Sequence, residues 1–172
     1  GTMMFGRWGN PDVDDCVRII DQALDEGVNF IDTANRYNWG ESEEIVGRAV
    51  RGKRDQLVLA TKVFMPGAGG VLDRGTSRRH VVLQVEESLR RLQTETIDLY
   101  QCHWADLNTP IDETLSAMEI LVRDGKVRYI GDPVAAVMAE SVEMAQDAAE
   151  LVVVDYKELP VVIDPYEAVK DG

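Results

Sequence analysis

The stretch Val28-Asn29-Phe30-Ile31-Asp32-Thr33-Ala34-Asn35-Arg36-Tyr37 runs a short apolar segment into a polar turn, with a carboxylate at the junction. Gly27, just before it, closes a helical pattern that Pro11 and Asp12 open and that carries Val17, Ile20 and Leu24 near helical spacing. The arrangement recurs. Leu57-Val58-Leu59-Ala60-Thr61 is apolar without alternation, as parallel strands covered on both faces are, and Lys62 follows it. Residues 96–103 read as the next strand and end on His103, with Trp104 beyond. Helical patterns separate these strands: residues 41–50, a run capped by Ser77 with Val81, Val85, Leu89 and Leu92 on one face, and residues 111–122. Residues 126–130 form a further strand, and residues 2–6 read as the end of a first one. A β-α-β-α order implies a parallel sheet with right-handed crossovers, which suits both an open doubly wound sheet and a (β/α)8 barrel.

Three consecutive strand ends thus offer Asp32, Lys62 and His103, with Tyr37 five residues after the first. Parallel α/β folds place their chemistry at these ends. Singly, each residue has a plain structural reading: a turn cap, a solvent-facing lysine, a packed tyrosine, a satisfied core histidine. The glycine-rich segment 65–75 lacks the Gly-Lys-Ser/Thr ending of a phosphate cradle and reads as a surface loop.

The chain has 172 residues, 45% of them hydrophobic and 28% charged, which fits one domain or one with an appendage. No apolar run approaches the ~18 residues of a membrane span. Cys16 and Cys102 are far apart, and no Cys or His stands at metal-ligand spacing. Neither a metal site nor a disulfide framework is expected, and a cytoplasmic location is the default. The opening Gly suits a processed product or a piece of a longer chain. The net charge is −13, made up of −5 over residues 1–131 and −8 over residues 132–172. Such a field repels phosphate backbones and anionic lipid, which excludes nucleic acid and membrane surfaces as natural partners. The step in charge marks a candidate domain boundary at 131/132.

With Gly40-Glu41-Ser42-Glu43-Glu44 after the opening stretch, then Leu57 to Lys62 in one run, Ile97-Asp98-Leu99-Tyr100-Gln101-Cys102-His103-Trp104 and Gly125-Lys126-Val127-Arg128-Tyr129-Ile130-Gly131, residues 1–131 resemble the aldo-keto reductase family. That resemblance implies an α/β fold, an incomplete (β/α)8 TIM-type barrel of about five strands, and reduction of aldehydes and ketones with NADPH. It casts Tyr37 as general acid, Lys62 as the cation beside it, Asp32 as partner of Lys62 and of the nicotinamide ribose, and His103 as the group orienting the carbonyl. Thr2 and Met3 match positions that touch the cofactor in some members, and Trp39 and Trp104 suit either pocket walls or simple packing. A free phenol titrates near ~10, so an acid of this kind works better with an ammonium beside it.

The family's Ser-Asn pair after that fifth strand is replaced by Asp132-Pro133, and little Lys or Arg follows. Residues 126–172 instead resemble the hammerhead region of xanthine dehydrogenase-type molybdenum hydroxylases, in strand-helix-strand order. Together the two resemblances describe a chimera: residues 1–131 a half barrel, residues 132–172 a small α+β appendage. Three functions follow as expectations. One is NADPH-dependent reduction of a small-molecule carbonyl with much of the cofactor site missing. The alternatives are an inactive truncated or chimeric protein that self-associates through open sheet edges, or a component related to a molybdenum hydroxylase.

Overall fold

The computed structural model describes residues 1–66 and 73–130; most of the glycine-rich loop and the hammerhead-like segment lie outside the described residues. Four strands form one parallel sheet in the order β1 (Phe30–Asp32), β2 (Val58–Val63), β3 (Ile97–Cys102), β4 (Val127–Ile130). The helices between and around them are α1 (Val13–Asp25), α2 (Glu41–Ala49), α3 (Arg78–Leu92) and α4 (Ile111–Arg123). Sequential strands are neighbours throughout, and each crossover carries a helix. This is part of a (β/α)8 barrel wall, with the register Asp32↔Ala60, Lys62↔Gln101 and Leu99↔Tyr129.

Local chemistry sets the helix ends. Asp12 caps α1 by accepting from the Asp15 N–H, and Asp14 and Asp15 lie in its first, dipole-positive turn. Ser77 caps α3 by accepting from the His80 N–H, and Gln93 closes that helix in the left-handed conformation.

Because strand side chains alternate, Leu59, Thr61 and Val63 face the helices while Val58, Ala60 and Lys62 share the other face with their register partners. The helix-side core joins Ile31, Leu59, Val63 and Tyr100 to Val46, Val81, Val85, Leu92 and Leu121. Each such aliphatic side chain contributes roughly 1.5–3 kcal/mol on burial.

Residues 2–6 do not make the expected first strand; a single bridge joins Phe5 to Asn10. Gly6 sits at φ +102 and the chain turns back on itself, Asn10 N donating to Met4 O and Gly6 N to Asn10 O. One remnant of strand pairing persists, the 2.9 Å bond from Thr2 N to Asp32 O. Among the described residues no helix is long and apolar enough to cross a membrane.

Candidate active site

The four residues singled out at strand ends do come together. The Lys62 ammonium lies 2.7 Å from both carboxylate oxygens of Asp32, 2.9 Å from Thr33 O and 3.2 Å from Tyr37 Oη. An ammonium has three protons and accepts nothing, so these three residues use all of it. Tyr37 Oη therefore accepts from Lys62, and its own O–H stays available. The Lys62 cation also sits 4.9 Å from the Tyr37 ring centroid. His103 meets the same ring edge-on, centroids 5.7 Å apart at 84°, and its backbone N–H is fixed 2.8 Å from Val63 O.

Burial pushes the His103 imidazole below the ordinary histidine range, Lys62 pushes it further down, and Asp32 opposes both. His103 is accordingly neutral at pH 7, with one buried ring nitrogen, Nδ1, that has no hydrogen-bond partner among the described residues. His80 is also depressed, first by burial. A histidine depressed in the folded state binds its proton more readily once unfolded, so its contribution to stability is present above ~6.5 and is lost as pH falls through the folded value. In imidazole NMR of the intact chain, His103 is expected to titrate below a free histidine and to move up in Lys62→Met, because the lowering cation is gone while Asp32 stays. Movement downward would contradict this account.

The turn from Arg36 to Gly40 is unusual. Asn38 (φ 50), Trp39 (φ 56) and Gly40 (φ 93) are all left-handed in succession. Asparagine tolerates this region; for tryptophan it costs roughly 1–2 kcal/mol. The Asn38 carboxamide offsets it by donating to Met3 O and Phe5 O at 3.2 and 2.7 Å and accepting from Trp8 N at 2.6 Å. Gly40 has no substitute, since a Cβ there would stand 2.6 Å from Arg91 Cδ.

The remaining expected residues fall in two groups. Thr2 is buried and committed: its hydroxyl reaches Asp32 O and Ser42 Oγ, so it braces the Asp32 strand end. Met3, Trp39 and Trp104 are exposed at 49%, 63% and 59%; Trp104 stacks on Phe64. Sequence reasoning assigned no role to two others. Gln101 is in register with Lys62, and its Oε1 is buried without a partner among the described residues. Asn35, between Asp32 and Tyr37, donates to Met65 O and Gln84 Oε1 at 3.1 and 2.9 Å, tying the Tyr37 loop to α3. Two residues before His103, a polar Gln on an inward strand position was a readable signal; the Asn35 contacts, to residues 30 and 49 positions away, were not. No cluster of metal-ligating side chains occurs among the described residues.

A parallel α/β wall that gathers Asp32, Lys62 and His103 at the C-terminal ends of its strands, with Tyr37 on the turn after β1, is the rim of a fragment of a (β/α)8-type barrel. The family model for the aldo/keto reductase family matches residues 1–163, and the chain belongs to that family. It is 48% identical over 135 residues to the aldo-keto reductase YhdN of Bacillus subtilis, covering 76% of this chain and 41% of that protein. Among solved structures it matches the holo form of aldo-keto reductase AKR11C1 from Bacillus halodurans at TM-score 0.68 and 41% identity, covering 76% of this chain and 43% of that one. An aldo-keto reductase from Klebsiella pneumoniae in complex with NADPH matches at TM-score 0.62 and 39% identity, covering 69% and 39%. The chain thus spans about two fifths of the length of the relatives it matches.

The match also corrects the expectation for the tail. The family likeness does not stop at Gly131 but continues to residue 163, and the comparisons give no support to a hammerhead segment. A valine-rich strand-helix-strand pattern is common to many α/β proteins, so that pattern alone could not separate the two families.

Proposed function

We propose that this chain carries the proton-transfer site of an aldo-keto reductase that converts a small aldehyde or ketone to its alcohol with NADPH. The observation that carries the reading is the exhausted Lys62 ammonium: with all three protons on Asp32, Thr33 O and Tyr37 Oη, it leaves the Tyr37 O–H free for a substrate oxygen.

Tyr37 donates that proton to the carbonyl oxygen, and the phenolate left behind is held by the Lys62 cation 3.2 Å away. Asp32 and Thr33 O keep the ammonium from swinging to solvent. Neutral His103, packed against the Tyr37 ring, orients the same oxygen. NADPH, when bound, supplies the hydride for the carbonyl carbon. Residues at this end suit its nicotinamide: Gln101 Oε1 is a buried acceptor with no donor among the described residues, which a carboxamide N–H satisfies, and the Asp32 carboxylate is 31% exposed. Met3, next to Thr2 in the chain, is exposed, while Thr2 acts through its hold on Asp32.

Quenching of NADPH fluorescence by the intact chain, followed by NADPH oxidation with an aldehyde, tests the reading. Binding near micromolar with aldehyde-dependent turnover is the expected result. Absence of binding at millimolar NADPH would sink it.

A further inference from the structure

The turn that holds Tyr37 also presents a cation whose partner is not in the described part of the chain. Arg36 is half-buried, yet no carboxylate among the described residues lies within ion-pair distance of it and its side chain makes no hydrogen bond there. Its guanidinium carbon instead lies 4.6 Å from the Trp39 ring centroid and 5.8 Å from that of Trp8. The two indoles meet at 75° with centroids 5.1 Å apart, forming a corner around the cation. Contacts of this kind occupy the faces of a guanidinium and leave its N–H edges to bind a planar anion. The corner is open: Trp8 and Trp39 are exposed at 38% and 63%. Trp39 is held there in a left-handed backbone that few tryptophans adopt, fastened by the Asn38 bonds to Met3 and Phe5. A packing role alone would bury the indole rather than strain the chain to expose it.

We infer that Arg36, Trp8 and Trp39 form a substrate subsite for the carboxylate of an aromatic aldehyde or ketone, one residue from the general acid. Deepening the proposed function, it rests on the carbonyl-reductase reading. The stacked guanidinium binds the carboxylate through two N–H groups, and the exposed indole of Trp39 offers its face to the aromatic ring. A monoanion fits better than a phosphate dianion, because the hollow bordered by Trp39 also holds Glu41 and Glu44 against a single cation, Arg7, which Glu41 already binds at 3.7 Å.

The test is a binding titration of the intact chain without cofactor, followed by tryptophan fluorescence and by the indole N–H signals of Trp8 and Trp39. The probes are 4-carboxybenzaldehyde, benzaldehyde and adenosine 2′,5′-bisphosphate. A charge-assisted pair predicts that the carboxylated aldehyde binds about tenfold tighter than benzaldehyde. In Arg36→Met that advantage is expected to vanish, and in Arg36→Lys to return in part; circular dichroism and the thermal midpoint verify that each variant is folded. Equal affinity of the two aldehydes, or an advantage that persists in Arg36→Met, overturns the inference. Tighter, Arg36-dependent binding of the bisphosphate also overturns it, by making Arg36 a cofactor-phosphate site. Arg36-dependent binding in a chain that never oxidises NADPH leaves the subsite standing and sinks the carbonyl-reductase reading instead.

Discussion

Replacing Tyr37 with Phe is expected to lower aldehyde reduction by about 10²–10⁴-fold, the range a positioned general acid contributes, while NADPH affinity stays as it was. The substitution removes one oxygen and little else. The ring still meets His103 edge-on, and Asp32 still grips Lys62 from 2.7 Å. What disappears is the O–H that Lys62 leaves free, together with the acceptor of the third ammonium proton. A loss in kcat with KM nearly unchanged marks an interaction made only in the transition state. Lys62→Met is expected to lose at least as much, because the phenolate then forms with no cation beside it and the Asp32 carboxylate, already half-buried, loses its partner. If Tyr37→Phe kept more than about a tenth of the activity, the general acid would have to be sought elsewhere.

The tetrad was legible because it follows from local pattern. Asp32, Lys62 and His103 each end an apolar run, and parallel strands bring successive run ends to one rim of the sheet, so three distant residues could be placed together without coordinates. The helix starts at Asp12 and Ser77 were readable for the same reason, since capping is decided within three or four residues. Residues 2–6 misled because their apolar composition suits a strand, whereas the outcome is set by Gly6 at positive φ and by Asn38, more than thirty residues away, holding Met3 and Phe5 by their carbonyls. The left-handed turn at Asn38 and Trp39 was invisible as well, Trp being a poor advertisement for that conformation. Tail residues 132–163 show the limit of pattern alone: alternation fixes the class of fold but not the family that uses it.

The largest effect on stability is expected at Glu43, a residue to which the sequence attaches no chemistry. Its side chain is fully buried beneath the site, and the Arg91 side chain facing it is 10% exposed. Arg91 Nε lies 2.6 Å from one Glu43 oxygen, and Thr61 Oγ1 donates to the other at 2.6 Å. Thr61 precedes Lys62 on β2, so this ion pair pins the lysine's strand to α2 and α3 at once. The helices are shaped around it: a Cβ on Gly47 would stand 2.6 Å from Arg91 O and 2.7 Å from the Leu92 carbonyl carbon, so α2 can approach α3 only as glycine. Glu43→Ala strands a buried guanidinium with the Glu87 carboxylate 3.6 Å away as its remaining anion, and it leaves the Thr61 hydroxyl without its acceptor. Breaking a buried pair from one side costs about 3–5 kcal/mol, which urea unfolding would register as a lower midpoint at unchanged slope. Glu43→Gln keeps the volume and an oxygen for Thr61, so its loss is expected to be smaller. Equal losses from the two variants would mean that the charge, not the cavity, decides. A loss below about 1 kcal/mol in Glu43→Ala would show that Arg91 finds water or Glu87 at little cost. The packing of α2 and α3 on the strand carrying Lys62 would then rest on apolar contacts such as those of Leu59 and Val63.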